Sequence, residues 1–201
     1  MTAHYLLHRT YKVQPGDTIL VHAAAGGMGL ILCQWAKSLG AKIVGTVSTE
    51  EKAEVAYDAG CHYPIVRSKE SFVDKVREIS DGEGAAVVYE AIGKDTLQDS
   101  LDSLRPMGVC AAYGHVSGPP DPVDIIQDLG RRGSLFITRP AIMHYVAKRE
   151  DLEWTARDLF KAIGDGVLDA NINYEYALKD AVKAHEAIES GSTIGATVLV
   201  P

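Results

Sequence analysis

The sequence predicts an α/β protein built on a doubly wound parallel sheet, on three observations. Short, almost wholly apolar runs recur at residues 18–22, 42–47, 63–66, 85–90 and 109–113. Longer stretches with apolar residues at helical spacing separate them. A glycine-rich turn, Ala23-Ala24-Ala25-Gly26-Gly27-Met28-Gly29, joins the first run to the first such stretch. Strands covered on both faces read as continuous apolar runs, and parallel neighbours require right-handed helical crossovers.

Each element has its own signal. Residues 1–11 read as a helix with Ala3, Leu6 and Leu7 on its apolar side. Pro15-Gly16 punctuates the chain before the first strand. A helix over 27–39 places Leu30, Ile31, Trp35 and Leu39 at helical spacing, and Gly40 fits its C-terminal cap. The second strand, 42–47, leads into a helix over 49–59, for which Ser48 and Glu51 have the form of a capping box. Ser71 opens a helix with Phe72, Val73, Val76 and Ile79 on one side, and residues 81–84 form a turn. Asp95 reads as the cap of a helix reaching Leu104. Residues 105–108 then turn the chain into the fifth strand, 109–113. A proline-rich loop, Gly118-Pro-Pro-Asp-Pro122, precedes a short helix over 123–129 and a sixth strand at 134–138. A helix over 149–163 follows. Strands at 172–176 and 197–200, flanking a helix over 178–189, have no evident place in the six-stranded sheet and are expected to pair elsewhere. The domain division is therefore a linking helix and turn at 1–16, a sheet domain at 17–168 and a tail at 169–201.

Composition bounds the function. A hydrophobic content of 46% against 23% charged residues supports a packed core. The net charge of −7 argues against nucleic-acid or anionic-membrane surfaces. No apolar run approaches the roughly 20 residues needed to cross a bilayer. The first residues lack a charged segment followed by an apolar one, so no signal peptide is read there. Three scattered cysteines, Cys33, Cys61 and Cys110, read as reduced buried thiols of a cytoplasmic protein. Neither C-x-x-C nor H-E-x-x-H occurs, so spacing indicates no metal site.

The turn at 23–29 carries the chemistry. Glycines let a backbone approach a pyrophosphate closely, and a helix N-terminus supplies free N–H groups and a positive dipole end. Residues 24–29 align on G-x-G-x-x-G with Ala24 in place of the first glycine. Ala25, Gly26, Gly27 and Met28 are the candidate pyrophosphate contacts. In such a fold the ligand crevice lies beyond the C-terminal ends of the strands. Residues 23–28, 48–49, 67, 91–93 and 114–118 should converge there.

The end of the second strand distinguishes the dinucleotides. An acidic residue there grips the ribose hydroxyls of NAD and would repel a 2′-phosphate. This position is Ser48, followed by Lys52 one helical turn on, and Arg67 ends the third strand. A hydroxyl and two cations favour NADPH, although Glu50 and Glu51 must then point away. The bland alternative is that Lys52 and Arg67 are solvated surface charges.

These residues also carry a family pattern. Val21-His-Ala-Ala-Ala-Gly-Gly-Met-Gly-Leu30, Cys33-Gln-Trp-Ala-Lys37, Val88-Tyr-Glu-Ala-Ile-Gly93, Thr138-Arg-Pro140 and Ala184-His-Glu186 closely resemble the quinone oxidoreductase (zeta-crystallin-like) branch of the medium-chain dehydrogenase/reductase superfamily. The resemblance covers essentially the whole chain. It implies a Rossmann fold, NADPH as cofactor, reduction of quinones, no zinc, and a homodimer formed by edge pairing of the strand at 134–138. It also implies a two-domain enzyme in which this chain is the cofactor-binding part, the tail returns to a catalytic domain, and this part alone turns over little. Position by position, Gly27 and Met28 match the pyrophosphate loop, and Ser48 and Lys52 the adenosine-phosphate contacts. Arg67 stands where relatives often have tyrosine. Ile92, Tyr113, Gly114 and His115 match the nicotinamide-ribose side, and Thr2 and Tyr5 match positions close to the cofactor. Gly191 and Ala196 stand where the family commonly has an arginine and a polar residue, which leaves backbone contacts only.

Other polar residues read as structural. His22 packs under the glycine loop, Glu90 anchors a loop, Cys110 is core, and His144-Tyr145 begins a surface helix. No residue of this chain is assigned a catalytic role. Two alternatives to quinone reduction remain open at this stage: an enoyl or alkenal reductase of the same superfamily, and a non-catalytic NADPH-binding protein.

Overall fold

The computed structural model describes residues 1–169 and 172–201. Its centre is a six-stranded, wholly parallel sheet of β1 (Thr18–Val21), β2 (Lys42–Val47), β3 (Tyr63–Val66), β4 (Ala85–Glu90), β5 (Leu104–Ala112) and β6 (Phe136–Thr138). The spatial order is β3-β2-β1-β4-β5-β6. The chain runs outward from β1 in one direction, then returns to build β4 to β6 on the other side. The switch point lies between β1 and β4, where such sheets open a crevice.

Two apolar layers cover the sheet. On one face α2 (Gly27–Ser38) and α3 (Glu50–Asp58) bury Leu32, Trp35, Ala36 and Ala56 with Ile19, Ile43 and Tyr89. On the other, α4 (Phe72–Ile79) and α5 (Leu97–Asp102) bury Phe72, Val76, Leu97 and Leu101 against Leu20, Val44 and Val88. The opening helix, α1 (Thr2–Tyr5), widens into a π-helical turn at Leu6–Thr10 and packs into the first layer. Its His4 is fully buried and reaches Asp158 on α7 (Arg149–Gly164), with Nε2 3.2 Å from the carboxylate.

Several boundaries differ from the sequence expectation. The hydroxyl of Thr49, not Ser48, caps α3 by accepting from the Lys52 amide at 3.2 Å, which leaves Ser48 outside the helix. Thr96, not Asp95, is the N-cap of α5, and its hydroxyl is drawn to Glu90 instead of the helix amides. Leu104 already pairs with Ala85, so β5 starts early and residues 105–108 bulge out before Val109 rejoins Val87. Met107 takes a left-handed φ of 59° in that excursion. Ser134 has a φ of 58°, so the sixth strand is shortened to Phe136–Thr138. The segment expected as a helix at 123–129 is a π-helical turn at Ile125–Gly130 capped by Asp124. A short α6 (Ile142–Tyr145) follows β6. The tail forms β7 (Ile172–Ala177), a 3₁₀ turn at Leu178–Asp180, α8 (Ala181–Glu189) and β8 (Ala196–Val200). Its two strands pair in parallel with each other, apart from the main sheet.

Close packing of α2 on β1 requires Gly29. A Cβ there would lie 2.2 Å from the Ala23 carbonyl oxygen and 2.6 Å from that of Ala24, both backbone atoms. Gly29→Ala is expected to destabilise the fold by at least about 1–3 kcal/mol through overpacking. Gly164→Ala, at the end of α7 with nothing within 4 Å, serves as the control free of steric conflict. Urea denaturation of both variants checks this: equal midpoints would rule out the steric account.

Candidate functional site

The C-terminal ends of β1, β2 and β4 are held together by one buried polar network. Glu90 ends β4, is fully buried, and accepts from the amides of Ile92 (2.6 Å) and Gly93 (3.0 Å). The hydroxyls of Thr96 and Ser100 also donate to it, the latter at 2.5 Å. A carboxylate only accepts, so the Ser100 proton points at Glu90. The Ser100 oxygen then accepts from His22 Nε2 at 2.8 Å, and His22 Nδ1 accepts from the Thr46 hydroxyl at 2.8 Å. This order fixes His22 as the neutral Nε2–H tautomer. Burial pushes the His22 pKa down to about 4, with Glu90 opposing and Arg67 assisting. Burial acts to raise Glu90, but His22 and its hydrogen-bond donors outweigh it and hold the carboxyl below its ordinary value. Both residues therefore build the floor of the crevice, and their polar atoms are occupied.

Above this floor lies the glycine loop. Ala23 takes a left-handed φ of 52°, a strained conformation for alanine, and turns the chain out of β1. Gly26 is the N-cap of α2, and no side chain caps the helix. Glycines here serve close approach. A Cβ on Gly27 would stand 3.3 Å from the Gly195 carbonyl oxygen, and one on Gly26 would stand 3.2 Å from that of Ala23. Ala24 and Ala25 are buried, and the Ala24 methyl points toward Gly45 of β2, where a Cβ would lie 2.7 Å from it.

The expected site residues fall into three groups. Gly26, Gly27 and Met28, half-buried, form the loop and helix start, with Ala25 supporting from below. Ser48, Lys52 and Arg67 lie together beyond β2 and β3: Ser48 and Arg67 are exposed, and the Arg67 amide bonds the Val47 carbonyl at 3.1 Å. Lys52 Nζ donates to the Gly191 carbonyl at 2.5 Å. Glu50 is paired with Lys69. Tyr113, Gly114 and His115 follow β5, where Tyr113 and Gly114 bond the Glu90 carbonyl through their amides. Ile92, half-buried on the loop after β4, accepts from Ser117 on the loop after β5. Thr2 is half-buried on α1, and Tyr5 is buried with its ring stacked on Tyr145 at 4.3 Å. Burial and then Tyr145 raise the Tyr5 pKa, while the Arg139 charge lowers it.

Two further contributors are not among the expected site side chains. The tail reaches the loop through backbone atoms: the Gly195 amide donates to the Ala25 carbonyl at 2.9 Å, and Gly26 and Gly195 form a parallel bridge. Glycine at 195, with a φ of 69° and Asn173 Oδ1 where a Cβ would stand, was the available signal. Arg139, just past β6, donates to the Tyr113 carbonyl at 2.7 Å. A cavity of about 270 Å³ opens beside it at the ends of β4 and β5. A larger one of about 590 Å³ starts at Gly27 and runs along α2 toward Val55, Asp58 and Asn173, away from Ser48 and His115. Among the described residues no group of three or more His, Cys, Asp or Glu side chains is placed to hold a metal ion. Nor is any helix among the described residues long and apolar enough to cross a membrane.

The comparisons with known proteins are consistent with this geometry. A family model described as zinc-binding dehydrogenase matches residues 27–161. The chain is 55% identical over 201 residues to a 2-haloacrylate reductase of Burkholderia sp, covering all of this chain and 60% of that protein. It is 46% identical over 203 residues to a quinone oxidoreductase of Salmonella typhimurium, covering 62% of it. The crystal structure of Escherichia coli quinone oxidoreductase complexed with NADPH superposes with a TM-score of 0.95 at 42% identity, over all of this chain and 62% of that one. The chain thus spans about three-fifths of the length of these relatives.

The buried pair makes the fold acid-sensitive in a defined direction. The folded state keeps His22 neutral, so the unfolded chain takes up the proton first. The stabilisation is complete above pH 6.5 and is lost as pH falls from there toward about 4. Glu90 adds a further loss below its ordinary value of 4.5. The urea midpoint should fall between pH 7 and 4.5 in the native chain and fall less in His22→Gln. A native midpoint that stays level over that range contradicts the assignment.

Proposed function

The chain belongs to the zinc-binding dehydrogenase family, and on that premise we propose that it is the NADPH-binding part of a quinone oxidoreductase. One observation carries this: a helix N-terminus without a side-chain cap stands at the switch point of the sheet, in a loop whose glycines at 26, 27 and 29 pack on neighbouring backbone too closely for a side chain. The amides of Gly27 and Met28 and the backbone at Gly26 hold the pyrophosphate, supported by Ala25. Ser48, Lys52 and Arg67 hold the 2′-phosphate, with Glu50 drawn away to Lys69. Ile92, Tyr113, Gly114 and His115 line the nicotinamide side, with Thr2 and Tyr5 nearby. When bound, the cofactor supplies a hydride, and the protein contributes position and exclusion of water. The zinc-independent reaction is proposed on the family resemblance. We place the protein in the cytoplasm, and we assign its dimer contact to the edge strand β6, where Phe136 is 61% exposed.

The relative at 55% identity favours a second reading, in which the acceptor is an activated carbon–carbon double bond. Hydride transfer to either acceptor makes the same demands on this chain. NADPH oxidation by the enzyme carrying the chain, measured with 1,4-benzoquinone and with 2-chloroacrylate, separates the two.

The cofactor assignment is checked by binding. The chain should bind NADPH more tightly than NADH, and Lys52→Met should lose roughly tenfold of that preference, the scale of one charge-assisted contact to phosphate. Equal affinities for NADPH and NADH in the native chain would sink it. Sedimentation at micromolar concentration tests the edge contact, with Phe136→Lys expected to shift any dimer to monomer.

A further inference from the structure

We infer that Arg139 is a positioning residue for His115, and that His115 presents its Nε2–H to an acceptor oxygen on the nicotinamide half of the cofactor. The inference rests on the NADPH-binding reading and extends it to a residue outside the expected site.

Arg139 follows the last residue of β6, so its side chain emerges beside the end of β5. One guanidinium nitrogen, Nη1, donates to the Tyr113 carbonyl at 2.7 Å and lies 3.4 Å from that of Pro140. The other, Nη2, lies 3.4 Å from His115 Nδ1. A guanidinium has donors only, so Nδ1 must face it with its lone pair. The neutral ring therefore carries its proton on Nε2. Arg139 is thus a strap between β5 and β6 that also selects the His115 tautomer.

Both side chains border the 270 Å³ cavity, together with Gly93, Gly114 and Glu90. Glu90 already accepts from two amides and two hydroxyls. The remaining side-chain hydrogen-bonding capacity of this lining comes from donors, so the cavity suits an acceptor. Sheet order says which one. Ser48 and Arg67 stand beyond β2 and β3, and the glycine loop stands at the β1/β4 switch. A dinucleotide with its 2′-phosphate at the first and its pyrophosphate at the second must place its other end over β4, β5 and β6, where His115 and Arg139 lie.

The test has one arm without cofactor. Long-range ¹⁵N spectra of the imidazoles in the free chain should show His115 as a single tautomer with Nδ1 unprotonated. In Arg139→Met the Nδ1 resonance should move toward the protonated side. A protonated Nδ1 in the native chain overturns the inference whether or not that variant folds, and so does an unmoved resonance in the folded variant. In the second arm, His115→Leu should weaken NADPH about fivefold and leave 2′,5′-ADP unchanged, whereas His115→Gln, whose amide nitrogen reaches the Nε2 position, should restore most of the affinity. NADPH binding to His115→Leu at native strength overturns the inference alone. Failure of the native chain to bind either NADPH or 2′,5′-ADP overturns the NADPH-binding reading beneath it.

Discussion

The crevice depends on one buried carboxylate. Glu90 sits where β4 ends, with no exposure, and draws in two loop amides and two hydroxyls from α5. A lone charge at that depth would be strongly destabilising, and its donors are what make it tolerable. Each donor is consequently held in place. The loop at 91–93 is bent back over the strand end, and α5 gives up an ordinary side-chain cap because Thr96 is engaged at the carboxylate. Through Ser100 the same chain of bonds reaches His22 on the exit of β1 and Thr46 on β2. Three neighbouring strand ends are thereby fixed relative to one another.

The next layer of the crevice is almost entirely backbone. Tyr113 and Gly114 hang from the Glu90 carbonyl, Val116 from that of Ala91 and Ser117 from that of Ile92, so the loop after β5 copies the loop after β4. On the far side Gly195 joins Ala25, and Lys52 holds the turn at Gly191. The tail, although its strands pair outside the main sheet, is thus part of the wall beside the glycine loop. The walls of the crevice are thus held in place by backbone bonds, with few side chains involved.

That composition explains what could be read from the sequence. The five long apolar runs and their helices were legible because burial on both faces leaves a continuous signal. The glycine loop, the structural roles of His22 and Glu90, and the tail strands could likewise be found from residue type and position. Cap positions shifted by one residue at Ser48/Thr49 and at Asp95/Thr96, where adjacent hydroxyl or carboxylate side chains compete and only the tertiary partner decides. Leu104 joined β5 because Ala85 offered a partner across a bulge that no local pattern announces. Arg139 gave no local signal of its role, since its carbonyl partner at Tyr113 lies 26 residues away.

The alanine at position 24 shows how such a departure is absorbed. The first glycine of the fingerprint normally makes the tight turn possible. Here the left-handed conformation falls on Ala23, one residue earlier, and Ala24 keeps an ordinary φ with its methyl buried. Room for that methyl comes from Gly45 on the adjacent strand, where any side chain would meet it and the Cys61 sulfur at 2.6–2.7 Å. The glycine requirement has not vanished from the site. Part of it has moved across the sheet from the loop to β2, and the strain of Ala23 is held by the bonds of Ala24 to Thr46 and of Gly26 to Ala23. Substituting a glycine at 24 would therefore leave a small void beside Gly45 without relieving the turn, because the strained residue is its neighbour.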